Sequence, residues 1–361
     1  MALIERCDII LPTLGELDLV KDCIESLIRS TKYPFRLIVI DNGVRGEARR
    51  YLESIAVSGR LDMELIRPQE NLGWIKSINT GLELSKDSKY ICFQNDDTIF
   101  AEGWLEELVR VFKEDPNIGI ANPEWEKSED ISVYDYACEL KTRKESTIDT
   151  DWCRGHCFFV RREVVDKIGG LDTAYLPGYY DDRDYSLKAI AAGYRCVVAR
   201  RSFVYHMRNA TMNKVMEKAK VEAIMSNNGR TFYERWGVPL KIVFVLKNIK
   251  DSQEVLRKIC MDQNKVIVIK RGGKALPYAH TNMKVASLPP IFFTIQALIY
   301  IMTKRSKKHQ KGIDFIFTDD GLFDSSTQLF SFLIPSAVIF EENMPKLCER
   351  ALRLVKSKKE A

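Results

Sequence analysis

An α/β fold is what the first 120 residues predict, and three observations predict it. Short β-branched runs alternate with amphipathic stretches, the strongest runs are apolar almost throughout, and polar or acidic clusters follow them at their downstream ends. That rhythm builds a mainly parallel, doubly wound sheet covered on both faces. Ligands collect outside the carboxyl ends of such strands, so those clusters are where chemistry is expected.

Cys7–Leu11 reads as the first strand. Leu17–Ser30 reads as a helix, because Leu17, Val20, Ile24, Leu27 and Ile28 fall on one face. Phe35–Ile40 is a buried strand, followed by a helix around Glu47–Ser58, a strand at Met63–Ile66, a helix around Trp74–Ser85 and a strand at Tyr90–Phe93. Trp104–Glu114 is a further helix and Ile118–Ala121 a further strand. Residues 123–152 are polar and weakly periodic, which predicts a surface excursion. Gly155–Val160 returns to strand character, Arg162–Gly170 and Tyr185–Ala192 are short helices, the second stopped by Gly193, and Arg195–Ala199 is a strand. Lys214–Trp236 is a basic helical stretch.

Gly237-Val238-Pro239 marks the expected boundary, giving domains at 1–236 and 240–361. Past it the rhythm restarts on a smaller scale. Ile242–Leu246, Val266–Ile269, Phe315–Phe317 and Ala337–Phe340 read as strands. Glu254–Cys260, Ile291–Met302, Ser326–Phe332 and Pro345–Val355 read as helices. The expectation is a large α/β domain followed by a smaller C-terminal α/β domain.

Composition narrows the class. Of 361 residues 45% are hydrophobic and 29% charged, which excludes intrinsic disorder, a fibre and a disulfide-stapled mini-domain. Fifty-five basic and 50 acidic residues leave a net charge of +5, too small to require nucleic acid but suited to an anionic substrate or an acidic membrane surface. The nine cysteines are odd in number, and several sit in apolar runs, so they read as reduced thiols of a cytoplasmic protein. Cys153, His156 and Cys157 are close enough for a zinc site, yet no second ligand pair follows. No signal peptide is read at the N-terminus, since Ile9–Leu11 is too short for one. Val285–Thr303 is uncharged and precedes Lys304, Arg305, Lys307 and Lys308, but Pro289 and Pro290 shorten the apolar helix below the roughly 20 residues of a span. A buried helix is the first reading there, interfacial membrane contact at the inner face the second.

The chemistry-bearing clusters lie at predicted strand ends. Asn95-Asp96-Asp97 follows a buried strand, where paired carboxylates call for a positive partner such as a divalent cation carrying a diphosphate. Helix capping ahead of Trp104 is the alternative. Tyr179-Tyr-Asp-Asp-Arg-Asp184 crowds three acids, which raises the pKa of at least one and favours a general base. A capping run before Tyr185 is the alternative, with Asp184 as the cap. Asn71–Gly81 combines a helix start with small residues: Gly73 permits close backbone approach, Lys76 supplies a cation and Asn79 an amide, a set that with Asn71 suits a diphosphate or base pocket. Its spacing matches neither G-x-G-x-x-G nor a P-loop. His206 gains meaning only if it comes near Asp97, and Phe317-Thr-Asp-Asp-Gly321 reads as a turn.

In this order, Leu11-Pro-Thr13, Val39–Gly43, Asn71–Gly81, Phe93–Asp97, Gly169–Asp172, Tyr180–Asp184 and His206 with Thr211 resemble glycosyltransferase family 2, the inverting enzymes of GT-A fold, with the rhamnosyl- and galactofuranosyltransferase-like branch nearest. The resemblance covers about residues 5 to 215 and implies a Rossmann-like GT-A catalytic domain. It implies that Asp41 recognises the nucleobase with Thr13 lining the same pocket, that Asp97 binds Mn²⁺ or Mg²⁺ with His206 and Asn95, and that Asp96 contacts metal or ribose. It further implies that Asp182 is the catalytic base with Asp181 beside it. Asn95 stands where the family has Asp, and Asp181 where it commonly has Glu. The donor would be a UDP- or dTDP-linked sugar, the acceptor a hydroxyl of a glycan or lipid-linked glycan, and the setting polysaccharide biosynthesis. Two other readings stay open: a nucleotide-sugar-binding protein without transfer, and a nucleotidyltransferase. Against the latter, the loop after the first strand, Pro12–Asp18, is acidic rather than Gly-rich and basic.

Overall fold

The structure is a computed structural model that describes residues 3–207, 217–276, 278–305, 312–329 and 337–360. The chain forms two compact units, residues 1–234 and 235–361.

The first unit is built on a nine-stranded sheet: β1 (Ile4–Thr13), β2 (Phe35–Asp41), β3 (Met63–Ile66), β4 (Ser88–Gln94), β5 (Thr98–Phe100), β6 (Ile118–Glu124), β7 (Thr147–Asp149), β8 (Cys157–Arg161) and β9 (Arg195–His206). Their order is β3-β2-β1-β4-β8-β6-β9-β5, with β7 added to β9. The first four strands are parallel neighbours, and β6 and β9 share their direction. Only β5, β7 and β8 run against it, so the sheet is mainly parallel as expected.

Helices α1 (Leu17–Ser30), α2 (Gly46–Val57) and α4 (Trp104–Glu114) cover one face. Val20, Ile24 and Leu27, then Leu52 and Ile55, then Leu105 and Leu108 pack onto Ile9, Leu11, Leu37 and Val39. Burying each such side chain stabilises by roughly 1.5–3 kcal/mol, which fixes the strand register. Helix α3 (Gly73–Leu84) lies on β1, and a Cβ on its Gly81 would meet Ile10 Cγ2 at 2.4 Å, so glycine sets that close approach. The remaining helices of the unit are α5 (Val133–Lys141), α6 (Arg162–Ile168) and α7 (Asp181–Ala191), with α8 (Lys218–Trp236) crossing into the second unit.

Several expectations are corrected. Residues 123–152 are no plain excursion, for they hold α5, capped by Ser132, and β7, which pairs with β9. The predicted strand Arg195–Ala199 continues to His206. Asp184 is not a cap: the helix starts at Asp181, and Asp184 pairs with Lys188 at 2.9 Å and accepts from Tyr175. Residues 214–216 of the predicted basic helix, and Thr211, lie outside the described residues.

The second unit is a wholly parallel sheet of β10 (Lys241–Leu246), β11 (Lys265–Arg271), β12 (Met283–Leu288), β13 (Phe315–Thr318) and β14 (Ala337–Phe340), in the order β12-β11-β10-β13-β14. Helices α9 (Gln253–Met261) and α12 (Met344–Glu360) cover one face, α10 (Phe293–Arg305) and α11 (Gly321–Leu329) the other. The helix expected at Ser326–Phe332 begins earlier, at Gly321, and residues 330–336 lie outside the described set. Edge strand β12 escaped the sequence reading because Lys284 and Ser287, three positions apart, break its apolar residues into no two-residue period. Asp319 accepts from the backbone N–H of Lys247 and Asn248, and Asp320 from those of Leu322 and Phe323 while pairing with Lys247, so both acids are spent on the turn.

Candidate active site

The carboxyl ends of β1, β2 and β4 bring Thr13, Asp41 and Asn95–Asp97 to one edge of the sheet. Parallel register does this directly, since Thr13 lies opposite Asp41 across β1 and β2. Asp41 accepts from the backbone N–H of Gly43 and Val44 with one oxygen and from Arg67 Nε, at 2.8 Å, with the other. Thr13 Oγ1 donates to Asp96 Oδ2 at 2.6 Å. Burial pushes the Asp96 carboxyl up to about 6, with the Thr13 hydroxyl opposing the shift.

His206 reaches this edge from the end of β9, the last strand of the first unit. Strand β5 pairs antiparallel with the end of β9, placing Thr98 opposite His206. His206 Nε2 then lies 3.1 Å from Asp97 Oδ1 and 3.3 Å from Asn95 Nδ2. Asp97 Oδ1 is buried and receives no hydrogen bond from the described residues. A buried carboxylate oxygen left without a donor, facing an imidazole nitrogen, suits a divalent cation such as Mn²⁺. Asn95 adds a neutral amide where a third carboxylate would have added charge.

The acidic pair Asp181–Asp182 opens α7. Asp181 accepts from Trp74 Nε1 at 2.9 Å. Asp182 Oδ2 accepts from Trp152 Nε1 at 2.9 Å and Gly155 N–H at 3.0 Å, and Asp182 Oδ1 from Arg183 N–H at 2.8 Å. Burial, then the neighbouring Asp182 charge, pushes Asp181 up to about 7. Burial also raises Asp182, but Trp152 and two backbone N–H groups pull the other way. More donors favour the charged form at Asp182, and Asp182 is the more accessible of the two, so the pair keeps its charge there. Tyr179 and Tyr180 hold left-handed backbone, φ 69° and 71°, just before the pair. Asn228 Nδ2 clamps that loop by donating to the carbonyls of Tyr175 and Gly178.

Gly155 and His156 join the two halves. Gly155 N–H holds Asp182, while the His156 carbonyl accepts from Asn95 N–H at 3.0 Å and from Gln94 Nε2 at 2.9 Å. The His156 ring stacks on that of His206, centroids 5.1 Å apart. Burial holds the His156 imidazole well below its usual pKa and therefore neutral. A continuous set of contacts thus links Asp97 and His206, through His156 and Gly155, to Asp182.

The remaining expected residues lie on α3 or just before it. Lys76 is exposed, Asn71 caps the start of α3 through Gly73 N–H, and Asn79 is engaged on both sides by the backbone of Leu171. Gly73 opens α3 with φ 65°. Cys153, His156 and Cys157 do not meet as a zinc site: Cys153 points at the Val197 carbonyl and Cys157 at Cys92, 3.7 Å away. Among the described residues no three His, Cys, Asp or Glu side chains are grouped to hold a metal. Trp74, Trp152, Arg67, Arg154 and His156 were not singled out for this site from sequence. Arg154 lies over both Trp125 and Trp152, 4.7 and 4.2 Å from the ring centroids. The local signal in sequence is slight: two of the five tryptophans, Trp125 and Trp152, fall close together ahead of Arg154.

Residues 8–169 match the family model described as Glycosyl transferase family 2. A protein of Sinorhizobium fredii named uncharacterized protein y4gI is 25% identical over 229 residues, 56% of this chain and 24% of that protein, so the chain spans about a quarter of that relative's length. Among solved structures, GalNAc-T7 with UDP, GalNAc and Mn²⁺ is similar at 14% identity and TM-score 0.49, over 65% of this chain and 50% of that one. The Pyrobaculum calidifontis mannosyltransferase PcManGT with GDP-Man and Mn²⁺ follows at 17% and 0.46, over 63% and 69%. S. aureus TarS 1-349 follows at 14% and 0.45, over 64% and 72%.

Proposed function

Residues 8–169 belong to glycosyl transferase family 2, and from that premise we propose that the chain is an inverting glycosyltransferase that moves a sugar from a nucleotide-diphosphate donor to an acceptor hydroxyl. The observation that supports it best is the continuous set of contacts that links Asp97 and His206 to Asp182 through His156 and Gly155.

The donor lies across the carboxyl edge of β1, β2 and β4. Asp41, fixed by two backbone N–H groups and Arg67, meets the nucleobase with Thr13 beside it, and Asp96 meets the ribose. Asp97 and His206, with Asn95, would hold Mn²⁺ or Mg²⁺, which when bound neutralises charge on the departing diphosphate. Asp182 accepts the proton of the acceptor hydroxyl as its oxygen forms a bond to the anomeric carbon. The bond from that carbon to the diphosphate oxygen breaks on the opposite side, so one displacement inverts the centre. Trp152, Gly155 and Arg183 aim the carboxylate and leave Oδ1 a lone pair for the proton. A base so placed typically contributes about 100- to 10,000-fold in rate. A UDP- or dTDP-linked sugar and a glycan or lipid-linked glycan are the proposed partners, in polysaccharide biosynthesis.

Asp182→Asn keeps the shape and removes the base. Donor binding should persist, measured by thermal shift with a panel of nucleotide sugars, while transfer falls by about 100-fold or more. Near-normal turnover would remove Asp182 from the role. Donor binding by the unaltered chain with no transfer to any glycan hydroxyl would favour a binding protein.

A further inference from the structure

Helix α10 is apolar on nearly every side, yet the second unit covers only one face of it. Phe293, Ala297 and Ile301 pack against Val243, Val245 and Ile316 of the sheet. On the opposite side Ile295, Ile299 and Met302 recur at helical spacing and are 54%, 55% and 40% exposed. Ile291 and Phe292, just before the helix, are each 72% exposed. Phe292 also holds left-handed backbone, φ 56°, a conformation that costs a bulky residue energy and here presents its ring to solvent. Leu322, at the start of neighbouring α11, is 64% exposed. An uncovered apolar stripe of this length on a helix marks a surface that works against another apolar phase.

Charge says which phase. Residues 263–313 contain ten Lys or Arg and no Asp or Glu, whereas the rest of the chain has 45 basic and 50 acidic residues. Five of the ten, Lys304, Arg305, Lys307, Lys308 and Lys311, follow directly on the apolar stretch. Two more, Arg271 and Lys284, are exposed and share their strands' α10-side positions with Ile269 and Ala286. Nucleic acid would use the cations but leave the isoleucines in water. A second copy of this chain would set like charge against like charge, since a two-fold interface opposes a patch to itself. An anionic bilayer surface satisfies both features, taking the isoleucines and Phe292 among its acyl chains and the cations among its headgroups.

We propose that the α10 face of the second unit docks the chain on an anionic membrane surface, lying along it rather than crossing it. No helix among the described residues is long and apolar enough to cross a membrane.

The test is co-sedimentation of the full chain with phosphatidylcholine vesicles, with and without phosphatidylglycerol. The unaltered chain should pellet with the phosphatidylglycerol vesicles and be released as salt is raised. Ile295→Gln with Ile299→Gln, both at exposed positions, should weaken binding on the order of tenfold, as half-burial of two isoleucines implies, with thermal unfolding unchanged. Failure of the unaltered chain to pellet would overturn the proposal, as would equal pelleting of the double variant or equal binding to both vesicle types. A concentration-dependent dimer that the double variant abolishes, with no vesicle binding, would assign the face to a second copy instead. None of these readouts depends on transfer activity, so the proposed function stands or falls separately.

Discussion

His206 Nε2 sits 3.1 Å from Asp97 Oδ1, although 109 positions separate the two residues in the chain. The contact is made by β5, three residues long, which turns straight back from the Asp97 loop and pairs with the end of β9. Met207 N–H donating to the Asp97 carbonyl at 2.9 Å fastens the same corner. A site assembled this way should lose metal when either side is cut. His206→Ala should raise the Mn²⁺ concentration for half-maximal transfer by about tenfold or more, the loss expected when the shell of a bound ion is disturbed. The check is an Mn²⁺ titration after chelation; an unchanged midpoint would separate His206 from the ion.

The acid pair sets a pH dependence. Asp181 is pushed from 3.8 up to about 7, so the pair binds one proton more firmly when folded and gives it up near neutrality. The base, Asp182, keeps its charge while Asp181 holds that proton, so kcat/KM should change little through about pH 7 and fall only at lower pH, where Asp182 itself takes a proton. Stability runs the opposite way. With its folded pKa raised, Asp181 lowers stability progressively as pH climbs from about 3.8 to about 7. Asp181→Asn should therefore raise the thermal midpoint at pH 8 and leave it nearly unchanged at pH 4. Equal shifts at both pH values would contradict the assignment.

Trp152 is a positioning residue whose indole N–H favours the charged form of Asp182. Trp152→Phe keeps the ring and deletes the donor. The acid limb of the pH–rate profile should move to higher pH, by about 1 unit if the lost hydrogen bond to a charged group is worth roughly 1.5 kcal/mol. A uniform loss of rate with no shift would mean that Trp152 only shapes the site.

Gly81 fixes the approach of α3 to β1. A methyl there meets Ile10 at 2.4 Å, inside the sheet layer, so either the helix or the strand must move. Gly81→Ala should cost about 1–3 kcal/mol in denaturant unfolding. Because α3 also carries Trp74 to Asp181, the same variant should slow transfer.

The α/β class, the strand ends bearing Thr13, Asp41 and Asn95–Asp97, and the family resemblance were all legible in sequence. Apolar runs, amphipathic periods and short ordered motifs are local, and parallel strands place their downstream residues on one edge without further information. The partners of those residues were not legible. Strands β5 and β7 are three residues each, too short for any period, and exist only because β9 offers an open edge. Trp74 and Trp152 carry no mark of a site role in sequence, and only the fold turns their indole N–H groups onto Asp181 and Asp182. Asn79 looked free to bind a ligand until Leu171 engaged its amide. Sequence determined which of the longer, well-patterned elements form, because hydrophobic patterning acts within ten or twenty residues. Tertiary structure decided which acid meets which donor, because those contacts join segments tens to more than a hundred positions apart, and only packing of the whole sheet sets their distances.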